Sequence, residues 1–400
     1  MPKLFALKGK IQNYAWGGTQ YIPNLLGVKN SNNKCAEYWL GAHVNAPSTI
    51  TTKEGEVTLD AYLKSNPLES LGADIVKKFG RLPFLFKVLD VNDMLSIQVH
   101  PTKTEAEKGF KYENEQGIPL TAAHRNYKDD NHKPEIMVAL SEFWLLHGFL
   151  PKKQLSNRLN ETSEFHSLIP VFNEEGYYGL YKKVMEQSVD ECNEMLMPLV
   201  DCIMPLYLSG KLDKSSPDFW AAKAVDASED KKVLDKGIYS IYFFNIIRAN
   251  KGEAIFQDAG IPHAYLEGQN MELMANSDNV LRGGLTPKHI DVPELLKHVA
   301  FEETIPNVML GDLQDDGIER IYSTPAPDFE LSKINMTKSD NYQSKAKTAQ
   351  IIIVIDGEAT IKEGTETLDL SKGECVFLES GSYYNISTSS SVVLYKATAP

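Results

Sequence analysis

The sequence predicts a mainly β protein that carries an α-helical insertion, and three observations predict it. Short runs of β-branched and aromatic residues, bounded by Gly, Ser, Asn and Asp turns, recur at 82–100, 135–149, 238–247 and 350–397. Between 150 and 237 the apolar residues fall at helical spacing instead. A Gly-Glu turn that opens a strand and ends in a further Gly occurs twice, at Gly252-Glu253 with Gly260 and at Gly373-Glu374 with Gly381. That repeated rhythm is the one a double-sheet jelly roll needs.

In chain order, Leu82–Val91 and Met94–His100 read as two strands about a polar Asn92-Asp93 turn, followed by strands at Glu135–Leu140 and Phe143–Phe149. The segment Thr102–Lys133 is long, charged and without a steady period, so it reads as a loop with some helix. In the insertion, Leu180, Val184, Cys192, Leu196, Leu199, Val200 and Ile203 keep helical spacing, and Pro198 is expected to break or kink that helix. Strand signals return at Ile238–Ile247. The tail is all-β, with strands at Gln350–Ile355, Gly357–Lys362, Glu374–Leu378 and Ser391–Ala397. The expected organisation is two cupin-like jelly-roll modules plus a helical domain: 1–149 joined to 238–327, the insertion 150–237, and a C-terminal module 328–400. All nine histidines lie before residue 299, so the C-terminal module is expected to hold no histidine-based metal site.

Composition narrows the function classes. Four hundred residues exceed what one core usually supports, and 42% hydrophobic with 24% charged residues is ordinary for a globular protein. No apolar run reaches the roughly 18 residues of a membrane span, and Met1–Lys10 lacks a secretory signal. Cys35, Cys192, Cys202 and Cys375 are scattered, which suits reduced thiols and a cytoplasmic location. A net charge of −13 argues against nucleic acid and anionic membranes as partners. A small molecule is the expected partner, and a phosphorylated one would need a cationic pocket built locally.

Four constellations carry chemistry. In Ser96-Ile97-Gln98-Val99-His100, strand alternation puts Ser96, Gln98 and His100 on one face and Ile97 and Val99 on the other. His100 alone fits a hydrogen-bonded histidine as well as a ligand. In Asn131-His132-Lys133-Pro134-Glu135, Pro134 favours an extended Lys133 and leaves Glu135 at a strand start, where it is either solvated, salt-bridged or turned into a barrel mouth. Ala259-Gly260-Ile261-Pro262-His263 brings a histidine into a strand just after a turn. Two histidines, a carboxylate and an amide oxygen suit a borderline metal such as zinc. Last, Glu272 to Lys288 crowds Asp278, Arg282 and Lys288 around Gly283-Gly284. Arg282 there either clamps a phosphate or oxyanion, or pairs with Asp278.

These segments, with Asn13-Tyr14-Ala15-Trp16-Gly17, Gly41-Ala42-His43, Leu82-Pro83-Phe84-Leu85-Phe86-Lys87 and Pro262-His263-Ala264-Tyr265, resemble type I mannose-6-phosphate isomerases (phosphomannose isomerases) from residue 13 to about 295. Val44 follows His43 where that family commonly has proline. The resemblance implies one zinc ion per chain, bound by Gln98, His100, Glu135 and His263, with the odd glutamine as a ligand. It implies Arg282 as the catalytic arginine and active-site roles for Lys133, His132, Lys87, Ser96, Glu272, Asp278 and Lys288. The implied reaction interconverts mannose 6-phosphate and fructose 6-phosphate through a cis-enediol, serving mannose utilisation and GDP-mannose supply, in a monomer or weak homo-oligomer. Lys133, His132 and Glu272 stay open as the general base, and Lys87 and Lys288 are assigned to the phosphate. Two rivals are an isomerase for another aldose phosphate and a catalytically silent sugar-binding protein; the second predicts a missing ligand or arginine.

Overall fold

The computed structural model describes residues 3–29 and 32–400. Its first module is organised by one long strand, His263–Ala275. The early part of that strand pairs with Gln98–Val99 and Phe143–Phe149, and the later part with Phe84–Val91 and Glu135–Ala139, all antiparallel. A register shift between Tyr265 and Glu267 marks the bend between the two halves. Glu37–Gly41 and Lys10–Gln12 extend one side, Phe244–Ala249 the other, and Leu281–Arg282 pairs with Gln98–Val99. Alternation then separates two cores. Leu89, Val91, Met137, Ala139, Leu145, Ile255 and Tyr265 fill the inside of the roll. Phe86, Val88, Ile136, Val138, Met271 and Leu273 face outward and meet Ile351, Ile353 and Phe377 of the second module.

The second module does not divide from the first at residue 328. Its sheet takes in Leu4–Lys8, paired with Cys375–Leu378, and then Thr49–Thr52 and Gly55–Thr58. Glu319–Tyr322 and Asp312–Leu313 also belong to it. A strand pattern reports which face is buried and not which neighbour satisfies the backbone, so these memberships are invisible in one sequence. Gln350–Glu363 is one strand with a register shift between Val354 and Asp356, where two strands split at Gly357 were expected. The repeated Gly-Glu turns are built alike. Glu253 accepts the Asn250 amide at 2.7 Å and Glu374 accepts the Ser371 amide at 2.7 Å, with glycines at φ 91° and 86°.

The insertion contains helices Lys152–Glu161, Ile169–Met185, Val189–Leu208 and Pro217–Ala227. A capping box of Ser188 and Glu191 starts the third. Pro198 does not break it: the helix runs on through Pro198 and Pro205, its lost hydrogen bonds offset by burial of Leu196, Leu199, Val200 and Ile203. Of the strand expected at Ile238–Ile247, only the part from Phe244 is strand; Gly237–Phe243 is a further helix with every residue buried. A short helix buried all round shows the unbroken apolar run of a core strand, so periodicity cannot separate them. This layer packs on the back of the strand Gln98–Val99, sharing a core with Ile97, Val99 and Leu281. Among the described residues no helix is long and apolar enough to cross a membrane, and all four cysteines are free.

Candidate metal centre and active site

Helical packing fixes which way the metal-site strand faces. Ile97 and Val99 are fully buried in the helical core, so Gln98 and His100 turn into the roll. Register lines up the rest. Gln98 lies opposite His263 on one side and Arg282 on the other, and His263 lies opposite His147. Directly opposed residues project on the same face, so His147, His263, Gln98 and Arg282 form one row across four strands. Glu135 enters from the neighbouring strand, opposite Met274 and Gln257.

The donor set is prepared for a cation. His100 Nδ1 donates to the Asn279 carbonyl at 2.9 Å and His263 Nδ1 to the Ile261 carbonyl at 2.9 Å. A carbonyl only accepts, so both protons sit on Nδ1 and both Nε2 atoms keep a lone pair. Those Nε2 atoms lie 3.6 Å and 3.3 Å from the two oxygens of Glu135. Both are buried and have no hydrogen-bond partner. Ligand atoms of His100, Glu135 and His263 all lie within 4.8 Å of one another. Burial, then the Lys133 charge, pushes His100 down to about 4, which keeps it neutral. Burial alone would raise the Glu135 carboxyl, but Lys133 at 2.8 Å outweighs it and holds the group well below the usual carboxylate range. Two imidazoles, one carboxylate and the amide of Gln98 fit a divalent metal of the zinc class.

Beside this cluster a small cavity of about 50 Å³ is lined by Glu37, Lys87, Gln98, Lys133, Glu135, His263, Tyr265 and Glu272, among others. Lys87 reaches it as part of a buried ion-pair group, 2.9 Å from Glu272 and 3.7 Å from Glu37. Burial would lower the Lys87 ammonium, but Glu272 and Glu37 outweigh it and hold it above its ordinary value. The Glu272 carboxyl is raised, by burial first, against the pull of Lys87. Asp278 does not pair with Arg282. It meets His43 Nε2 at 3.3 Å, and Arg282 has no ion-pair partner among the described residues. Burial and then Arg282 lower Lys288; burial first lowers Lys128 too, with Arg125 and Arg282 adding to it, while its Nζ donates to the Leu120 and Ala122 carbonyls.

The chain matches a model of the phosphomannose isomerase type I catalytic domain over residues 4–152, and one of the mannose-6-phosphate isomerase cupin domain over 319–393. Mannose-6-phosphate isomerase of Escherichia coli (strain K12) is 36% identical over 378 residues, 93% of this chain and 94% of that relative. The chain belongs to the type I mannose-6-phosphate isomerase family. It is an isomerase with the family architecture of cupin-like sheet modules and a helical region. A variant of phosphomannose isomerase from Salmonella typhimurium matches it with TM-score 0.90 at 33% identity, covering 100% of both chains. A mannose 6-phosphate isomerase from Salmonella typhimurium bound to substrate and zinc matches with TM-score 0.87 at 33% identity, again over 100% of both.

Of the residues singled out by the family motifs, the structure gathers Gln98, His100, Glu135, His263, Lys133, Lys87 and Glu272 around one cavity. Arg282 stands one strand beyond Gln98, half-buried, and Lys288 follows on the exposed loop. His132 goes elsewhere: its Nε2 bonds Asp328 at 2.8 Å, and it does not line the cavity. His132 and Lys133 lie in the irregular segment just before the strand Glu135–Ala139, where one side chain turns to Asp328 and the other to Glu135, so adjacency in the chain does not place them together. Ser96 precedes the short Gln98–Val99 ladder, where a strand from Met94 was expected, and its hydroxyl has no hydrogen bond among the described residues. Sequence reasoning passed over Glu37, Tyr265, His147 and Lys128. Tyr265, two residues after His263, was within reach of the alternation rule. The others are brought in by pairing across strands and by the long loop.

Proposed function

We propose that this chain interconverts D-mannose 6-phosphate and D-fructose 6-phosphate, with one zinc ion held by Gln98, His100, Glu135 and His263. The observation that carries the reading is the buried pair of Nε2 lone pairs converging on Glu135 beside a polar cavity. Likeness to relatives named for this activity, one solved with substrate and zinc, supports it. Bound there, zinc supplies Lewis-acid polarisation of the sugar oxygens.

The residues supply the rest. Isomerisation moves one proton between C2 and C1 of the open-chain sugar, and the hydroxyl and carbonyl exchange places, so nothing leaves the molecule. A base must reach both carbons from one face. With His132 bonded to Asp328, Lys133 and Glu272 are the two of the three candidates on the cavity wall. Arg282, free of any carboxylate among the described residues, offers its planar fork to the oxygens that gain charge in the enediol. Lys288, whose ammonium feels Arg282, suits the phosphate and offsets locally a net charge of −13. Lys87 serves the cavity floor instead, because two carboxylates already neutralise it. The free cysteines support a reducing, cytoplasmic setting. The test is an assay of fructose 6-phosphate formation from mannose 6-phosphate, run on purified protein with elemental analysis, before and after chelation. Activity lost with zinc and regained on its return is expected; full activity in verified metal-free protein excludes the metal's role.

A further inference from the structure

We infer that Asp235, on the helical insertion, is a positioning residue for the loop that carries Arg282 and Lys288. The inference rests on the reading of Arg282 given above. Asp235 lies outside the catalytic cavity, but its carboxylate reaches across to the substrate-side loop. Oδ1 accepts the amides of Gly237 at 2.6 Å and Leu285 at 2.8 Å, and Oδ2 accepts the Thr286 amide at 3.1 Å. No ion pair competes for it among the described residues, so the whole carboxylate is committed to backbone amides. Such charge-assisted bonds are the stronger kind.

The loop is shaped to receive this clamp. A Cβ on Gly284, whose φ is +126°, would lie 2.5 Å from the backbone of Gly237. A Cβ on Gly237 would lie 2.6 Å from the Leu285 nitrogen. The two backbones therefore touch with no room for a side chain. Leu285 takes φ +55°, a left-handed conformation that non-glycine residues rarely adopt, and the two bonds from Asp235 hold it and its neighbour there. On the other side, Gly283 and Gly284 exchange backbone bonds with Ile97, at 2.9 Å and 3.0 Å, next to Gln98. Upstream of Arg282, Asp129 holds Ser277 Oγ at 2.8 Å and the Asp278 amide at 2.7 Å. Arg282 is thus fixed from before by Asp129, from beneath by Ile97, and from after by Asp235. Only the last link comes from the insertion, which gives that layer a part in the reaction.

Asp235→Ala and Asp235→Asn are compared with wild type for kcat, KM, zinc content, Tm and amide exchange at Leu285 and Thr286. Asp235→Ala is expected to keep its zinc, to exchange those amides faster, and to lose about 10- to 100-fold in kcat, the scale of a misplacement of about 1 Å. Asp235→Asn retains the Oδ1 acceptor and falls between; it carries the test should the alanine variant not fold. The deciding readout is the double variant with Arg282→Lys. Positioning an arginine that is absent changes nothing, so the double variant should lose no more turnover than Arg282→Lys alone. A plain N-cap role for the helix Gly237–Phe243 would lower Tm without that coupling. Losses that multiply, or unchanged kcat in Asp235→Ala, overturn the inference. Full turnover in Arg282→Lys instead sinks the reading of Arg282, and the clamp is then judged by amide exchange alone, where unchanged rates at Leu285 and Thr286 overturn it.

Discussion

Charge placed without a partner is costly inside a protein, and the site sorts its charged residues by how each avoids that cost. Lys87 does so by pairing with Glu272 and Glu37. Replacing it with Met leaves two buried carboxylates facing each other, and Lys87→Met should lose about 3 kcal/mol of stability, the scale of a broken buried pair. Urea unfolding measures this; unchanged stability with a raised KM would return Lys87 to the phosphate. Arg282 has no carboxylate partner among the described residues, which is why the proposed reading gives it to the substrate. Arg282→Lys keeps the charge but not the fork, and is expected to lose about 100- to 1,000-fold in kcat with KM little changed. Steady-state kinetics with zinc checked in the same sample decides. Near-normal kcat with a much weaker KM would move Arg282 to phosphate capture.

The unit that sets the candidate metal site is a strand only two ladder residues long, Gln98–Val99. So short a strand cannot orient itself, and its direction comes from Ile97 and Val99 anchored in the helical core. Ile97→Ala should therefore cost about 3 kcal/mol, as large-to-small core changes do. It should also weaken zinc binding, although Ile97 touches no ligand. Competition with a chelator of known affinity reads the second effect, and unchanged zinc affinity in the folded variant would mean that the strand holds its direction without the insertion. The same layer shows why elements are harder to read than residues. Pro198 lies inside a continuous helix, and Gly237–Phe243 is a helix made from strand-like residues. In the first, burial of one face of a long helix outweighs the prolines, and in the second, burial on all sides outweighs local preference.

At the scale of the molecule, the two sheet modules share one core and part of one sheet. Leu4–Lys8 belongs to the second module's sheet while Lys10–Gln12 joins the first. Truncation after residue 327 would strip the cover from Phe5, Phe86, Ile136 and Leu273. No soluble folded product is expected, and a folded truncation that still binds zinc would refute the shared core. Acid should unfold the protein for a related reason. Burial holds His100 at about 4 and His147 at about 3, against about 6.5 in an unfolded chain. The unfolded chain therefore binds more protons between those limits, so stability is present above pH 6.5 and falls as pH drops towards 4. Each imidazole contributes roughly 1.4 kcal/mol per pH unit across its window. Urea midpoints at pH 7, 5.5 and 4.5 should fall in that order; equal midpoints would mean that neither ring is neutral in the fold.

By itself the sequence determined the jelly-roll class and the helical insertion, while the ligand set of the candidate metal site came from a family resemblance carried by short motifs. Those depend on periods of two and 3.6 residues and on short local patterns such as Pro-His and Pro-Glu, which a chain carries wherever it folds. The Gly-Glu turns at Gly252 and Gly373 were legible for the same reason, since each is closed by its own glutamate three residues along. Tertiary structure alone decided what each charge is for. His132 and Lys133 are neighbours in the chain, but one faces Asp328 and the other the cavity. Asp278 takes His43 rather than Arg282, and Asp235 reaches Leu285 across about fifty residues of sequence. Partnership between distant side chains depends on register and packing, and no local period records it.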